Sequence, residues 1–171
     1  MNADEVQAAL NTLADNIVTA NEGRPVVFVG IQRRGVPMAQ RMADHVASKT
    51  GTRPDLGVLD INLYRDDLTK VATQPVVRRT DMPSNIDEKD VILIDDVLYT
   101  GRTIGAAIRA LFDFGRTRTI QLAVLVDRGH REMPIEANFI GKRITTKDNE
   151  LVEVCLKEID GEDAIYVAEK T

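Results

Sequence analysis

Short runs of apolar, mostly branched residues alternate along this chain with segments in which apolar residues recur at helical spacing. The runs are too short for helices and are typical of strands that are buried on both faces of a parallel sheet. They are residues 26–29, 91–94 and 120–126. Strands that alternate with helices in this way predict an α/β fold with a central parallel sheet flanked by helices.

Segments with the helical pattern precede or follow these runs. Residues 4–20 carry an apolar stripe and an acidic outer face, which predicts an amphipathic helix on the core. Residues 37–46 predict a second helix that begins near a proline and that Gly51 can cap. Residues 104–111 predict a third helix. His45 is expected on the outer face of the second.

The remaining segments differ in polarity. Residues 55–63 alternate partly and predict a further strand, whereas residues 64–80 are charged and have little apolar content, which is typical of an exposed, mobile arm or a solvated hairpin. Strands are also predicted at residues 138–141, 151–156 and 164–167. With no internal repeat or linker, residues 1–171 are interpreted as a single domain.

Composition narrows the class of protein. The 171 residues are 43% hydrophobic and 29% charged, which is ordinary for a globular domain, and no apolar run is long enough for a membrane span or a signal sequence. We therefore expect a cytoplasmic protein. Cys155 is the only cysteine, so no disulfide within the chain and no thiolate metal cluster is expected. The net charge of −5 disfavours a general nucleic-acid binder but leaves room for a local basic patch.

Candidate chemistry begins where the predicted strand at residues 91–94 ends. Asp95 and Asp96 follow it directly, and residues 99–103 form a loop of small and hydroxyl-bearing residues that opens the third helix. Such a loop can bind phosphate through backbone N–H groups, hydroxyls and the helix dipole. It lacks the spacing of a P-loop or of a dinucleotide fold. The two carboxylates can accept hydrogen bonds from vicinal ribose hydroxyls, so the ligand implied is a ribose 5-phosphate.

Two other loops at strand ends carry charged residues. Arg33 and Arg34 lie between the first predicted strand and the second helix, where open α/β sheets bind ligands, so they suggest a second anion site. A solvated basic loop is the alternative. Asp127 and Arg128 follow the third strand, where Asp127 could instead be a loop cap. His130 is expected to be exposed and polar, and no histidine metal site is expected because His45 is the only other histidine.

Three stretches of the sequence resemble a known family. Residues 91–103, V-I-L-I-D-D-V-L-Y-T-G-R-T, resemble the phosphoribosyl pyrophosphate (PRPP) motif of type I phosphoribosyltransferases and are close to the form found in the PyrR family. Residues 63–68, L-Y-R-D-D-L, and 122–131, L-A-V-L-V-D-R-G-H-R, resemble that family too. The resemblance implies a type I phosphoribosyltransferase fold with a flexible arm at residues 64–80 and a small hood over the base within residues 132–171.

The resemblance also implies roles for individual residues. PRPP binding is implied for Asp95, Asp96, Val97, Leu98, Tyr99, Thr100, Gly101, Arg102 and Thr103. Pyrophosphate binding is implied for Arg33, Arg34 and Gly35, and base binding for Arg128 and Leu151. The arm residues expected over the substrates are Tyr64, Arg65, Arg78 and Arg79. Catalysis is assigned to Asp95, Asp96 and Asp127, and Mg²⁺ is expected at Asp95 and Asp96, mostly through ligand and water.

The PyrR family combines a pyrimidine operon regulator with a uracil phosphoribosyltransferase. The resemblance therefore implies conversion of uracil and PRPP to UMP and pyrophosphate, UMP-responsive attenuation through leader RNA, and a homo-oligomer without membrane contact. The alternative is a phosphoribosyltransferase for a purine or orotate with no RNA role. Residues 1–23 contain no Lys or Arg, so a basic RNA surface would have to lie elsewhere. Its candidates are Arg33, Lys142, Arg143, Lys147 and Lys157.

Overall fold

The structure is a computed structural model that describes residues 1–62, 76–83 and 85–171. The helices of these residues are α1 (Ala3–Ala20), α2 (Gly35–Thr50), α3 (Arg102–Leu111) and α4 (Lys157–Asp160). The strands are β1 (Val26–Ile31), β2 (Asp55–Asn62), β3 (Val76–Asp81), β4 (Asp90–Leu98), β5 (Thr119–Asp127), β6 (Phe139–Arg143), β7 (Glu150–Cys155) and β8 (Ala164–Glu169).

The main sheet has six strands in the order β3-β2-β1-β4-β5-β6. All neighbouring pairs are parallel except β2 and β3, which are antiparallel. The strands β1, β4 and β5 are adjacent and parallel, so their carboxyl ends meet at one edge of the sheet. Loops that leave this edge can therefore converge on one ligand.

The central strand β4 is buried on both faces, as its unbroken apolar run predicted. Ile92 and Ile94 belong to the core on the side of α1 and α2, whereas Val91 and Leu93 belong to the core on the side of α3. Each fully buried side chain of this kind stabilises the fold by about 1.5–3 kcal/mol relative to an exposed one. The same strand thus holds both layers together and delivers the acidic pair to its carboxyl end.

The apolar stripe of α1 is fully buried, which confirms the predicted amphipathic helix. Asn2 begins the helix with a reciprocal capping box to Glu5, in which each side chain accepts a backbone N–H of the other residue. The second helix ends at Gly51, whose left-handed conformation favours glycine at this position. Both helices pack on the same face of the sheet. Because α2 follows β1, it begins at the edge of the sheet where the carboxyl ends of β1, β4 and β5 meet.

The hood consists of β7, α4 and β8, with β7 and β8 paired in a separate antiparallel sheet. The amino terminus joins the hood to α1 through two backbone hydrogen bonds. Met1 N donates to the Ile165 carbonyl oxygen at 2.9 Å, and the Met1 carbonyl oxygen accepts the Ile165 N–H at 3.1 Å. Arg41 of α2 adds ion pairs to Glu158 and Asp163. The hood is therefore anchored to the helices that carry one of the site loops.

The structure differs from the sequence analysis at three places. The end of the predicted arm or hairpin belongs to β3, which pairs with β2 in antiparallel fashion as a hairpin would, whereas residues 64–75 lie outside the described residues. The short helix α4 was not predicted. His45 does not lie on an outer face but between α2 and α1, with its side chain 16% exposed and Nε2 2.9 Å from Asp15 Oδ1.

Across the described part of the chain, none of the helices has the length and apolar character needed to cross a membrane.

Candidate active site

The acidic pair lies near the carboxyl end of β4, inside the strand and not after it as predicted, because β4 pairs with β5 as far as Leu98. Asp95 Oδ1 accepts the backbone N–H of Asp96 at 2.9 Å, and Asp96 Oδ1 accepts that of Val97 at 2.8 Å. Asp95 is only 8% exposed, and burial together with the neighbouring Asp96 charge raises its pKa well above the usual range. Burial also raises the pKa of Asp96, although the Arg34 charge opposes that shift. The site therefore favours a bound cation or hydroxyl donors at these carboxyls.

The phosphate loop, residues 99–101, joins β4 to the start of α3. Gly101 directly precedes α3 in a left-handed conformation with φ of 94° and has no side chain to cap the helix. Thr100 is buried; its Oγ1 accepts the backbone N–H of Arg102 at 3.3 Å, and its carbonyl accepts N–H groups from residues 132 and 133. Thr103 lies in the first turn. The loop thus holds a helix amino terminus beside the acidic pair, as a phosphate site requires.

Leu98 and Arg102 at either side of this loop have structural contacts. Leu98 is buried, and its carbonyl accepts the backbone N–H of Arg128 at 3.1 Å. Arg102 forms an exposed ion pair with Glu132, with Nη2 and Oε1 3.3 Å apart. Both contacts tie the phosphate loop to the segment that follows β5.

The arginine loop, residues 32–34, joins β1 to α2, and its Gln32–Arg33 peptide bond is cis. Gly35 lies directly against β4, because a Cβ on it would collide with the carbonyl oxygen of Ile94. A Cβ on Gly30 would lie 2.6 Å from the Gly35 oxygen. Backbone therefore packs on backbone from β1 to β4, which brings the arginine loop to the acidic pair.

The two arginines of this loop differ in their surroundings. Arg33 is exposed, whereas Arg34 donates Nε–H and Nη2–H to the two carboxylate oxygens of Asp160 in α4, at 3.1 and 2.7 Å. The hydrogen bonds that Arg34 donates to Asp160 raise the Arg34 pKa. The structure thus brings Arg34 and Gly35 to the acidic pair and joins Arg34 to the hood.

Asp127 at the carboxyl end of β5 is 5% exposed, and its two carboxylate oxygens accept hydrogen bonds from its own loop and from β6. Its Oδ2 accepts from Arg131 at 2.7 Å and from Arg143 at 3.3 Å, and its Oδ1 accepts the Gly129 N–H at 3.0 Å. Burial works against ionisation, but these donors outweigh it and hold the Asp127 pKa below the usual value. The carboxyl therefore shapes the loop after β5, which matches the loop-cap interpretation of Asp127.

Arg128 is buried and joins the hood to the phosphate loop. Its Nη2 donates to the Glu150 carbonyl at 2.8 Å, its Nε donates to Thr146 at 3.2 Å, and its guanidinium lies 4.0 Å from the centroid of the Tyr99 ring. A cation over an aromatic face is stabilised by the ring quadrupole. His130 also contacts Tyr99, edge-on at 5.7 Å between ring centroids, and it is exposed, as predicted.

The other predicted residues are less central. Leu151 is half-buried in β7 of the hood, while Tyr64 and Arg65 lie outside the described residues and Arg78 and Arg79 belong to β3. The proposed basic-surface residues are all exposed; they are Arg33, Lys142, Arg143, Lys147 and Lys157.

Two residues near the site were missed. Arg131 anchors Asp127 and also donates to the Tyr99 carbonyl at 2.9 Å, and its place in the third matching stretch could have revealed it. Asp160, the partner of Arg34, has no signal in the sequence because it lies 126 residues away along the chain.

The acidic pair fits Mg²⁺. Carboxylate oxygens are the ligands that this ion prefers, and a bound cation would offset the burial that raises the pKa of both carboxyls. Asp95 and Asp96 are the residues that would hold it. Because Mg²⁺ usually keeps several waters and binds substrate phosphates, two carboxyls beside a phosphate site are a reasonable protein contribution.

Comparisons with known proteins agree with this geometry. Residues 2–159 match the model of the phosphoribosyl transferase domain. The Bifunctional protein PyrR of Thermus aquaticus is 52% identical over 99% of this chain and 94% of its own length, and that of Clostridioides difficile is 46% identical over 99% and 96%.

Solved structures agree on the fold. The hypoxanthine phosphoribosyltransferases of Staphylococcus aureus and Trypanosoma cruzi have TM-scores of 0.75 and 0.76 over 99% of this chain and 89% of theirs. At 21% and 15% identity they establish the fold alone. These structures and the full-length relatives confirm the resemblance found in the sequence. This chain has the type I phosphoribosyltransferase fold and belongs to the PyrR family.

Proposed function

We propose that this protein transfers the phosphoribosyl group of PRPP to uracil, giving UMP and pyrophosphate, and that it also acts as a UMP-responsive attenuator that binds the leader RNA of pyrimidine genes. Membership of the PyrR family supports both activities. The observation that carries the enzymatic activity is the acidic pair between two loops, one at a helix amino terminus and one bearing Arg34. We also propose that the protein assembles as a homo-oligomer, as the resemblance to this family implies.

Positioning and charge stabilisation account for the proposed reaction. Transfer of a ribosyl group passes through an oxocarbenium-like state, so the protein must hold the ribose and stabilise the leaving pyrophosphate. Asp95 and Asp96 accept hydrogen bonds from the ribose hydroxyls, and the phosphate loop binds the 5′-phosphate through N–H groups at the start of α3. Arg34 and the backbone at Gly35 bind pyrophosphate. Asp95 and Asp96 would hold Mg²⁺, which would supply positive charge to stabilise the leaving pyrophosphate.

Uracil would enter between the phosphate loop and the hood. Arg128 already fixes this boundary through Tyr99, Thr146 and the Glu150 carbonyl, so it orders the wall of a base site. Leu151 supplies apolar surface from β7. Asp127 supports the same wall by holding Arg131.

Incubation of the protein with radiolabelled uracil, PRPP and Mg²⁺ is expected to yield labelled UMP. Parallel reactions with hypoxanthine and with orotate measure base choice, and a reaction without Mg²⁺ measures the metal requirement. Consumption of hypoxanthine or orotate in place of uracil would assign the site to another base.

The RNA-binding activity must use cations outside α1, since the first turn of that helix is acidic and its last turn has no basic residue. Lys142, Arg143 and Lys147 are exposed near the end of β6 and the loop that follows it. Arg143 is paired with Asp127, which reduces the positive charge it offers to phosphate. We therefore expect RNA affinity that depends strongly on salt.

Filter binding of a pyrimidine leader transcript at several salt concentrations tests this activity. The logarithm of the association constant should fall with log[salt] by about 0.7 per phosphate contacted on single-stranded segments. UMP should raise the affinity, because a nucleotide that prefers the RNA-binding state is linked to RNA by reciprocal coupling. Binding that does not respond to UMP would contradict the attenuator. An unrelated transcript of equal length is the control.

A further inference from the structure

The contact between Arg34 and Asp160 crosses from the arginine loop to the hood. The two side chains are 31% and 20% exposed, and both carboxylate oxygens of Asp160 accept from one edge of the guanidinium. Such bidentate pairs fix orientation as well as distance. The pair therefore determines where the rest of the Arg34 guanidinium points.

Asp160 is itself held in place within the hood. Its Oδ2 accepts the backbone N–H of Leu156 at 2.8 Å, and its own N–H donates to the Leu156 carbonyl at 2.7 Å. The carboxylate thus has little freedom to follow the longer arginine side chain. We take Asp160 as the fixed partner and Arg34 as the side chain that it orients.

Asp160 leaves the other edge of the guanidinium available. Arginine has five N–H groups in a planar fork, and the ion pair uses Nε–H and one Nη2–H. Gly35, the next residue along the chain, packs against the backbone of Ile94 and Asp95, so Arg34 lies at the acidic end of β4. Among the described residues, the edge of Arg34 that Asp160 does not use is therefore available at this end of β4, where the proposed function has the pyrophosphate.

We propose that Asp160 is a positioning residue that holds Arg34 by one edge, so that its other edge is preorganised to bind the pyrophosphate of PRPP. This inference rests on the proposed function. It assigns the hood a part in pyrophosphate binding in addition to covering the base. A preorganised arginine binds more tightly because less side-chain entropy is lost when the ligand arrives.

The test measures Asp160→Asn against a closely matched control. Asn keeps the size of the side chain but gives up the charge that holds Arg34. The KM for PRPP and the Kd for inorganic pyrophosphate, by calorimetry, are expected to rise about tenfold, whereas kcat and the KM for uracil change little. Asp160→Glu should recover part of the loss. In an Arg34→Ala background, Asp160→Asn should have no further effect.

Asp163→Asn is the control, because Asp163 also lies in the hood region, accepts from an α2 arginine, Arg41, and accepts a backbone N–H from Lys157. If loosening of the hood were the cause, both substitutions would raise the KM for PRPP equally, and the proposal would be overturned. Tighter pyrophosphate binding by Asp160→Asn would overturn it too, since Asp160 would then compete with the ligand. Calorimetry needs no turnover, so absence of UMP synthesis with Asp160-dependent pyrophosphate binding would refute the proposed reaction alone.

Discussion

Replacing both Asp95 and Asp96 by asparagine is expected to lower kcat/KM for PRPP by at least about a hundredfold. Each carboxylate would lose a charge-assisted hydrogen bond to a ribose hydroxyl, and bonds to charged groups contribute roughly 1.5–3 kcal/mol each. The summed loss of about 3–6 kcal/mol corresponds to factors of roughly 10² to 10⁴. Initial rates of UMP synthesis over a range of PRPP concentrations measure the effect.

The same substitutions are expected to stabilise the folded protein at neutral pH. Burial raises the folded pKa values of both carboxyls above their unfolded values, and the Asp96 charge adds to the rise for Asp95. An acid whose pKa is raised on folding binds more protons in the folded state, so stability falls as pH rises from the unfolded pKa toward the folded pKa. Asparagine carries no charge and removes this loss. Thermal unfolding of both proteins at pH 4 and pH 7 should show the variant's advantage growing with pH.

Asp113→Asn is the control for both measurements, because Asp113 is exposed at the end of α3. It should leave kinetics and unfolding temperature unchanged. Loss of activity together with loss of stability in the double variant would mean that the carboxyls support the fold instead. Normal kinetics would remove them from the site.

The sequence predicted those elements whose burial is complete. The runs that form β1, β4 and β5 are apolar on both faces, and the stripe of α1 is buried along its length, so pattern and environment agree. The strand β3 was missed because four of its six residues are polar, so it lacks the apolar run that marks a buried strand; it lies at the edge of the sheet beside β2. The four-residue helix α4 is too short to have a period.

The residues of the candidate site also divide into those that the sequence could identify and those whose contacts depend on the packed structure. Asp95, Asp96 and residues 99–103 are contiguous along the chain, so their chemistry could be read from their order. The surroundings of Arg128 and Arg34 depend on the hood, which folds back from more distant sequence. Pairings of this kind depend on the packed structure, so the sequence alone could name the residues but not their partners.

Gly35→Ala is expected to damage the site without touching any charged group. The new Cβ would collide with the Ile94 carbonyl oxygen, which is backbone and cannot rotate away. The arginine loop or the end of β4 must therefore shift. Overpacking of this kind costs about 1–3 kcal/mol of stability, and misplacement of a binding group by about 1 Å can lower the rate about a hundredfold. Chemical unfolding and the kcat/KM for PRPP measure the two effects.

Gly105→Ala in α3 is the matched control, since its Cβ would meet the end of the flexible Met133 side chain at 3.0 Å. Met133 can change rotamer, and alanine favours a helix interior over glycine by up to about 1 kcal/mol. The control should therefore keep its stability and its kcat/KM. If Gly35→Ala also kept both, the close packing of the arginine loop on β4 would not be what places Arg34 beside the acidic pair. A selective loss in Gly35→Ala would instead mean that this glycine joins the pyrophosphate half of the site to the ribose half.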